Sequence, residues 1–151
     1  MTADRVSGAS CIFCRIVAGE IPATRVYENE RVLAFLDIRP IRDGHVQIVP
    51  KRHYDYYEDM PADLAGEIVA LGQKLAKAAK KIYGVKRVGF MFTGGDVAHA
   101  HAHVVPMVRG TDITSRRYIA EENLTFRDLE LSEPEKLQEV ASRLKTALAE
   151  F

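Results

Sequence analysis

From Ala98 to His103 alanine and histidine alternate without a break, and Val104, Val105 and Pro106 follow. Successive side chains of a strand point to opposite faces. The spacing therefore predicts a strand over 97–105, with His99, His101 and His103 on one face and Ala98, Ala100, Ala102 and Val104 on the other. A helix would send positions i and i+2 to different sides. The small alanine face predicts close approach by another element, such as a helix. Imidazole titrates near neutrality and serves as nucleophile, base or metal ligand. Three of the chain's five histidines lie here, so the face reads as a site. It is either a nucleophilic centre or a zinc site, for which imidazole is a standard ligand. The plain alternative is a solvated strand whose polar residues happen to be histidine. Spacing alone does not separate the three.

The remaining pattern predicts the frame around this face. Thr24–Glu30, Val32–Asp37 and His45–Pro50 read as strands of an antiparallel meander, with turns at Glu28-Asn29-Glu30 and Asp43-Gly44. Val85–Thr93 reads as a strand joined to 97–105 by a tight turn at Gly94-Gly95. Leu64, Ile68, Leu71, Leu75, Ala79 and Ile82 recur at helical spacing and predict a helix over Asp63–Tyr83, stopped by Gly84. Its lysines, Lys74 to Lys81, read as a solvated face. Cys11–Val17 is a short apolar segment, helical or irregular, under the site. Pro134 opens an amphipathic helix carrying Leu137, Val140, Leu144 and Leu148. The sum is an α+β fold, a five-stranded and mostly antiparallel sheet with a long helix and a C-terminal helix. Residues 1–10 read as a disordered tail and 111–127 as polar and irregular.

At 151 residues the chain predicts one domain. Its 21 basic and 21 acidic residues cancel, which argues against nucleic acid or an anionic membrane as a partner. No apolar run approaches the ~20 residues that span a bilayer, and no signal-peptide core is present. The expectation is a cytoplasmic protein. Its two cysteines, Cys11 and Cys14, stand at CxxC spacing. Without a secretory signal that spacing points to metal or redox use. A redox pair calls for a thioredoxin-like βαβ context, which is absent. A tetrahedral zinc site calls for two further ligands.

Several motifs then agree in order. His99-Ala-His101-Ala-His103-Val-Val is accompanied by Cys11-Ile-Phe-Cys14, Gly19-Glu-Ile-Pro22, Phe35-Leu-Asp-Ile38 and Gly44-His-Val-Gln-Ile-Val-Pro-Lys-Arg-His53. Together they resemble the histidine triad (HIT) superfamily of nucleotide hydrolases and transferases over residues 11–110, with 111–151 as an extension. The resemblance implies a structural zinc held by Cys11, Cys14, His53 and His99. It implies that His101 attacks the α-phosphorus of a purine nucleotide amidate or ester, its other ring nitrogen bound to a backbone carbonyl, and forms a nucleotidyl-histidine. His103 then contacts the phosphate and leaving group. His45 either polarises the same pocket or packs at a strand start. Asp37 matches the acid that holds the ribose hydroxyls, and Phe13, Ile16, Ile21 and Phe35 match the apolar base pocket; each also reads as plain core, which for Phe35 is the better reading. The loop before the triad is shorter than in the family. Thr93 stands where an asparagine is usual, the loop has no glutamine, and Asp96 is acidic where phosphate is expected. Alternatives are a dinucleoside polyphosphate hydrolase, a nucleotide-binding protein with little turnover, and a metal-dependent hydrolase using all three triad histidines. The resemblance also implies a homodimer paired through the long helix and the strand beside it.

Overall fold

The computed structural model describes residues 10–113 and 128–151. The expected tail therefore lies outside the described residues apart from Ser10, as does most of 111–127. Five strands form one antiparallel sheet: β1 (Arg25–Glu28), β2 (Val32–Leu36), β3 (Val46–Pro50), β4 (Arg87–Phe92) and β5 (Ala102–Met107). Their order is β1-β2-β3-β5-β4. The helices are α1 (Ile12–Val17), α2 (Ala62–Tyr83) and α3 (Pro134–Leu148), with one 3-10 turn at Tyr57–Asp59. The α+β expectation holds, and every strand pair is antiparallel.

The sheet divides the apolar residues by parity. Val32, Ala34, Leu36, Val46, Ile48, Ala102 and Val104 face α2 and α3, which contribute Leu64, Ile68, Leu75, Leu137 and Leu144 to one core. Leu33, Phe35 and Val49 point the other way and pack with Phe13 and Ile16 of α1 in a smaller cluster. Strand β2 is buried on both faces, so it reads as a continuous apolar run. Helix α3 covers its own sheet. Lys74, Lys77, Lys80 and Lys81 are exposed, as a solvated face requires. Gly84 ends α2 in the left-handed region at φ 64°, its N–H bound to the Lys80 carbonyl. At Gly72 helix α2 and strand β4 approach closely: a Cβ there would lie 2.5 Å from the Phe90 ring.

Two expectations need correction. Strand β4 ends at Phe92 and β5 begins at Ala102, so residues 93–101 form a long connection and not a tight turn. Only His103 of the three triad histidines lies within a strand. The cause is local competition for backbone groups. The Ala100 N–H goes to the Tyr54 carbonyl at 2.7 Å, and the His99 carbonyl accepts from the His101 side chain. A backbone committed to such partners cannot extend the ladder. The alternation of faces survives all the same. Ala100 joins Ala102 and Val104 in the main core, while the rings of His101 and His103 stand 5.0 Å apart.

Candidate active site and metal centre

Cys11 caps the N-terminus of α1, its sulfur accepting from the Cys14 N–H at 3.5 Å. That turn brings both thiols under the histidine run. Cys11 Sγ lies 3.3 Å from His99 Nδ1, and Cys14 Sγ lies 3.2 Å from His53 Nδ1 and 3.5 Å from His99 Nδ1. All four donor atoms fall within 4.8 Å of one another. Zinc bonds of about 2.0–2.3 Å in a tetrahedron imply edges of about 3.3–3.8 Å. The four residues therefore fit such an ion. The far nitrogens agree. His99 Nε2 donates to the Pro50 carbonyl at 2.9 Å, and His53 Nε2 meets Asp55 Oδ1 at 2.9 Å. Both acceptors hold a proton on Nε2 and leave Nδ1 bare toward the sulfurs. Both cysteines are free thiols, and burial, then the neighbouring Cys11, pushes Cys14 up to about 11. Two bare imidazole nitrogens facing two sulfurs are a ready place for a cation, whose binding releases thiol protons.

A second group of side chains lies along the same sheet face. The Ile41 N–H donates to His45 Nδ1 at 3.2 Å. His45 must then carry its proton on Nε2, which donates to His103 Nδ1 at 2.9 Å. That leaves His103 with a proton on Nε2. Burial pushes His45 down to about 4, and burial with the nearby His101 lowers His103. Both shifts favour the neutral rings that this hydrogen-bond line describes. Asp37 Oδ2 lies 3.8 Å from His45 Nε2, accepts from Gln47 Nε2 at 2.6 Å, and its Oδ1 accepts from the Arg39 N–H at 2.7 Å. His101 joins the two groups. Its Nδ1–H donates to the His99 carbonyl at 2.7 Å, which in the neutral ring puts the lone pair on Nε2. The Phe13 ring lies 5.1 Å from it.

The structure thus brings together Cys11, Cys14, His53 and His99, and separately Asp37, His45 and His103. Phe13 and Ile16 are buried beside Phe35, and Ile21 packs at that cluster's margin. Thr93 borders a hollow shared with His101. His45 is both buried at the start of β3 and hydrogen-bonded to His103, so its placement fits either reading. Gln47 was missed by sequence reasoning. The register places it opposite His103, and its Oε1 is buried with no hydrogen-bond partner among the described residues. The sequence marks it only as the one polar residue of β3. Asp55, which orients His53, was also missed. An acid two residues after a candidate ligand was the available sign.

Comparison with known proteins bears on both groups. The family model described as HIT domain matches residues 18–110. A HIT-like protein of Methanocaldococcus jannaschii is 41% identical over 104 residues, covering 66% of this chain and 81% of that protein. The adenosine 5'-monophosphoramidase of Saccharomyces cerevisiae is 36% identical over 107 residues, covering 70% of this chain and 68% of that one. The crystal structure of a Zn-bound histidine triad family protein from Mycobacterium smegmatis superposes with a TM-score of 0.73, at 33% identity, covering 95% and 96% of the two chains.

Proposed function

The chain belongs to the HIT domain family, whose relatives make it a nucleotide hydrolase in broad terms, and we propose that it cleaves purine nucleotide amidates or esters at the α-phosphate through a nucleotidyl-histidine intermediate. One observation carries the mechanism. His101 Nδ1–H is held by a 2.7 Å bond to the His99 carbonyl, so in the neutral ring the lone pair lies on Nε2. The lone pair of Nε2 attacks the α-phosphorus, and the bond to the leaving group breaks with its electron pair going to the departing atom. His103 Nε2–H donates a hydrogen bond to the departing group, and solvent water supplies the proton that the departing atom needs. A water molecule then attacks the phosphorus and loses its proton to solvent, and the bond to His101 breaks with its pair returning to Nε2. Splitting one displacement into two is the advantage of a covalent nucleophile. Asp37 accepts from the ribose hydroxyls, with the Gln47 oxygen as a further acceptor. Phe13, Ile16 and Ile21 shape the base pocket, and Thr93 borders the phosphate.

The metal in this reading is zinc on Cys11, Cys14, His53 and His99. It would cross-link α1 to the ends of β3 and the triad, and four protein ligands leave it no position for substrate. The core over 11–110 carries the chemistry and α3 braces it. The chain pairs as a homodimer through α2 and the edge strand β4, where Phe90 and Val69 stay exposed. An unpaired edge beside apolar side chains is the surface that a second copy would cover. Light scattering is expected to return twice the 16.9 kDa chain mass, and the monomer mass would refute the pairing. A cytoplasmic location belongs to the same reading; no helix among the described residues is long and apolar enough to cross a membrane. The deciding experiment is mass spectrometry after rapid quenching with an adenosine phosphoramidate. A nucleotidyl adduct on the His101 peptide is expected, and turnover without any adduct would sink the covalent mechanism.

A further inference from the structure

The connection between β2 and β3, residues 37–45, carries Asp37 at its start and, further on, the Ile41 N–H that meets His45 Nδ1. The next residue, Arg42, binds outside the cleft. Its Nε and Nη2 donate to the two oxygens of Asp112 at 3.0 and 2.7 Å. The same carboxylate accepts from the Val108 and Arg109 N–H groups at 2.8 and 2.9 Å, just beyond the end of β5. The Asp112 side chain is 7% exposed. Arg42 above all, with the two backbone N–H groups, holds its carboxyl well below the usual carboxylate range. We propose that Arg42 and Asp112 are a positioning pair, fixing the Ile41 N–H against His45 and so setting which nitrogen of His103 carries the proton. The inference rests on the reading of His103 as a hydrogen-bond donor to the departing group.

Two ties join the same two elements. The His45–His103 bond at 2.9 Å links the end of the connection to β5, and the Arg42–Asp112 pair links its middle to the far end of β5. Between them the His45 N–H donates to the Arg42 carbonyl at 3.0 Å, closing a turn in which Gly44 takes φ 85°. Arg42 is thus bound to His45 through its main chain and to β5 through its side chain. The turn also lies against the end of α2, since a Cβ on Gly44 would stand 2.5 Å from the Tyr83 ring. Pro40 restricts the chain on the other side of the Ile41 amide. Such bracing matters because a neutral imidazole carries its proton on either nitrogen, and the partner of one nitrogen decides which. The Ile41 N–H is 3.2 Å from His45 Nδ1, at the long end of hydrogen bonding, so a small retreat would break it. His45 could then take the other tautomer, and His103 would lose the donor that keeps its own proton on Nε2. The rigid fork of a bidentate, charge-assisted pair suits the holding of such a spacing. The first part of the connection is tied elsewhere. The Ile38 carbonyl accepts from the Ser132 N–H at 2.8 Å, and Arg39 Nη1 donates to the Leu129 carbonyl at 2.9 Å. Loss of the pair should therefore shift the amide without unfolding the chain.

The test sets long-range proton–nitrogen NMR of the imidazoles beside kinetics. In wild type, His45 and His103 are both expected to carry the proton on Nε2. Asp112→Ala and Arg42→Gln should each give His45 a second tautomer and leave His99 as it was. Arg42→Gln keeps Asp112 on its two backbone N–H groups, so it decides the matter if Asp112→Ala does not fold. With an adenosine phosphoramidate of an alkyl amine, each variant should lose on the order of tenfold in kcat, with KM changed less than about twofold. An ester of the same nucleotide with nitrophenol, which departs with little help, should lose less than about threefold. The double variant should be no slower than either single one, because each removes the same device. Variants whose melting temperature falls while the His45 tautomer stays as in wild type overturn the proposal, and so does an equal loss with both substrates. Absence of a His101 adduct in wild type would instead bring down the function reading and the kinetic comparison, while the spectra would still decide whether the pair sets the tautomer.

Discussion

In the corner formed by Cys11, Cys14, His53 and His99, each imidazole gives its Nε2 proton to an oxygen and turns a bare nitrogen to sulfur. In the cleft, His45 and His103 are tied to each other, and the line of donors that begins at the Ile41 N–H ends in a proton on His103. The same side chain is thus prepared for opposite tasks by the partner of its second nitrogen. Acceptors on the far side make an electron-pair donor for a cation; a donor on the far side leaves an N–H to offer as a hydrogen bond into the cleft. His99 belongs to both regions, since its ring serves the corner and its carbonyl fixes His101. The corner should therefore govern stability and the cleft should govern rate.

The largest effect that tests this division is His101→Ala. Turnover is expected to fall on the order of 10³-fold or more, with melting temperature and nucleotide binding close to wild type. Steady-state kinetics beside calorimetry check it, and activity above a tenth of wild type would end the assignment. Cys14→Ser should do the reverse. It is expected to lower the melting temperature on the order of 10 °C and lose bound zinc, while turnover at 25 °C falls less than tenfold. Elemental analysis that finds no zinc in wild-type protein purified without chelator would remove the corner's role.

His45 sharpens the comparison through pH. Folded, it titrates near about 4; in an unfolded chain the value is about 6.5. Between those values the unfolded chain binds more protons. Stability from this residue is thus complete above about 6.5 and declines as pH falls toward 4. About 2 kcal/mol should disappear between pH 7 and pH 5 in urea titrations. His45→Gln should flatten that dependence, and an unchanged slope would show that His45 is not held neutral. The smallest effect is Asp55→Asn, which should weaken zinc retention about tenfold in a chelator competition and leave kcat unchanged. A fall in kcat with zinc still bound would show that the two regions are not separable.

Much of this was legible in the sequence because parity is a local property. The His/Ala alternation gave the correct faces, and the apolar spacing of Asp63–Tyr83 gave α2 almost to the residue. The extent of β5 was not legible. Whether residues 99–101 join a ladder depends on the Tyr54 carbonyl and on a side chain capturing the His99 carbonyl, and both are tertiary events. Gln47 escaped for a related reason: one polar residue in a buried strand has no meaning until its neighbour across the sheet, His103, is known.

The position of α3 bears on how the chain reaches this state. Its residues Leu137, Val140, Leu144 and Ala147 share a core with Val26 of β1, more than a hundred positions earlier in the sequence. Strands β1 to β3 can pair locally as they leave the ribosome, since each neighbours the next. The face that α3 will cover stays bare until much later in synthesis. Such distant closure slows folding and leaves apolar surface open to misassociation in the meantime. A nascent chain halted before Pro134 should accordingly be held by chaperones, although every histidine and cysteine of the site has already been made.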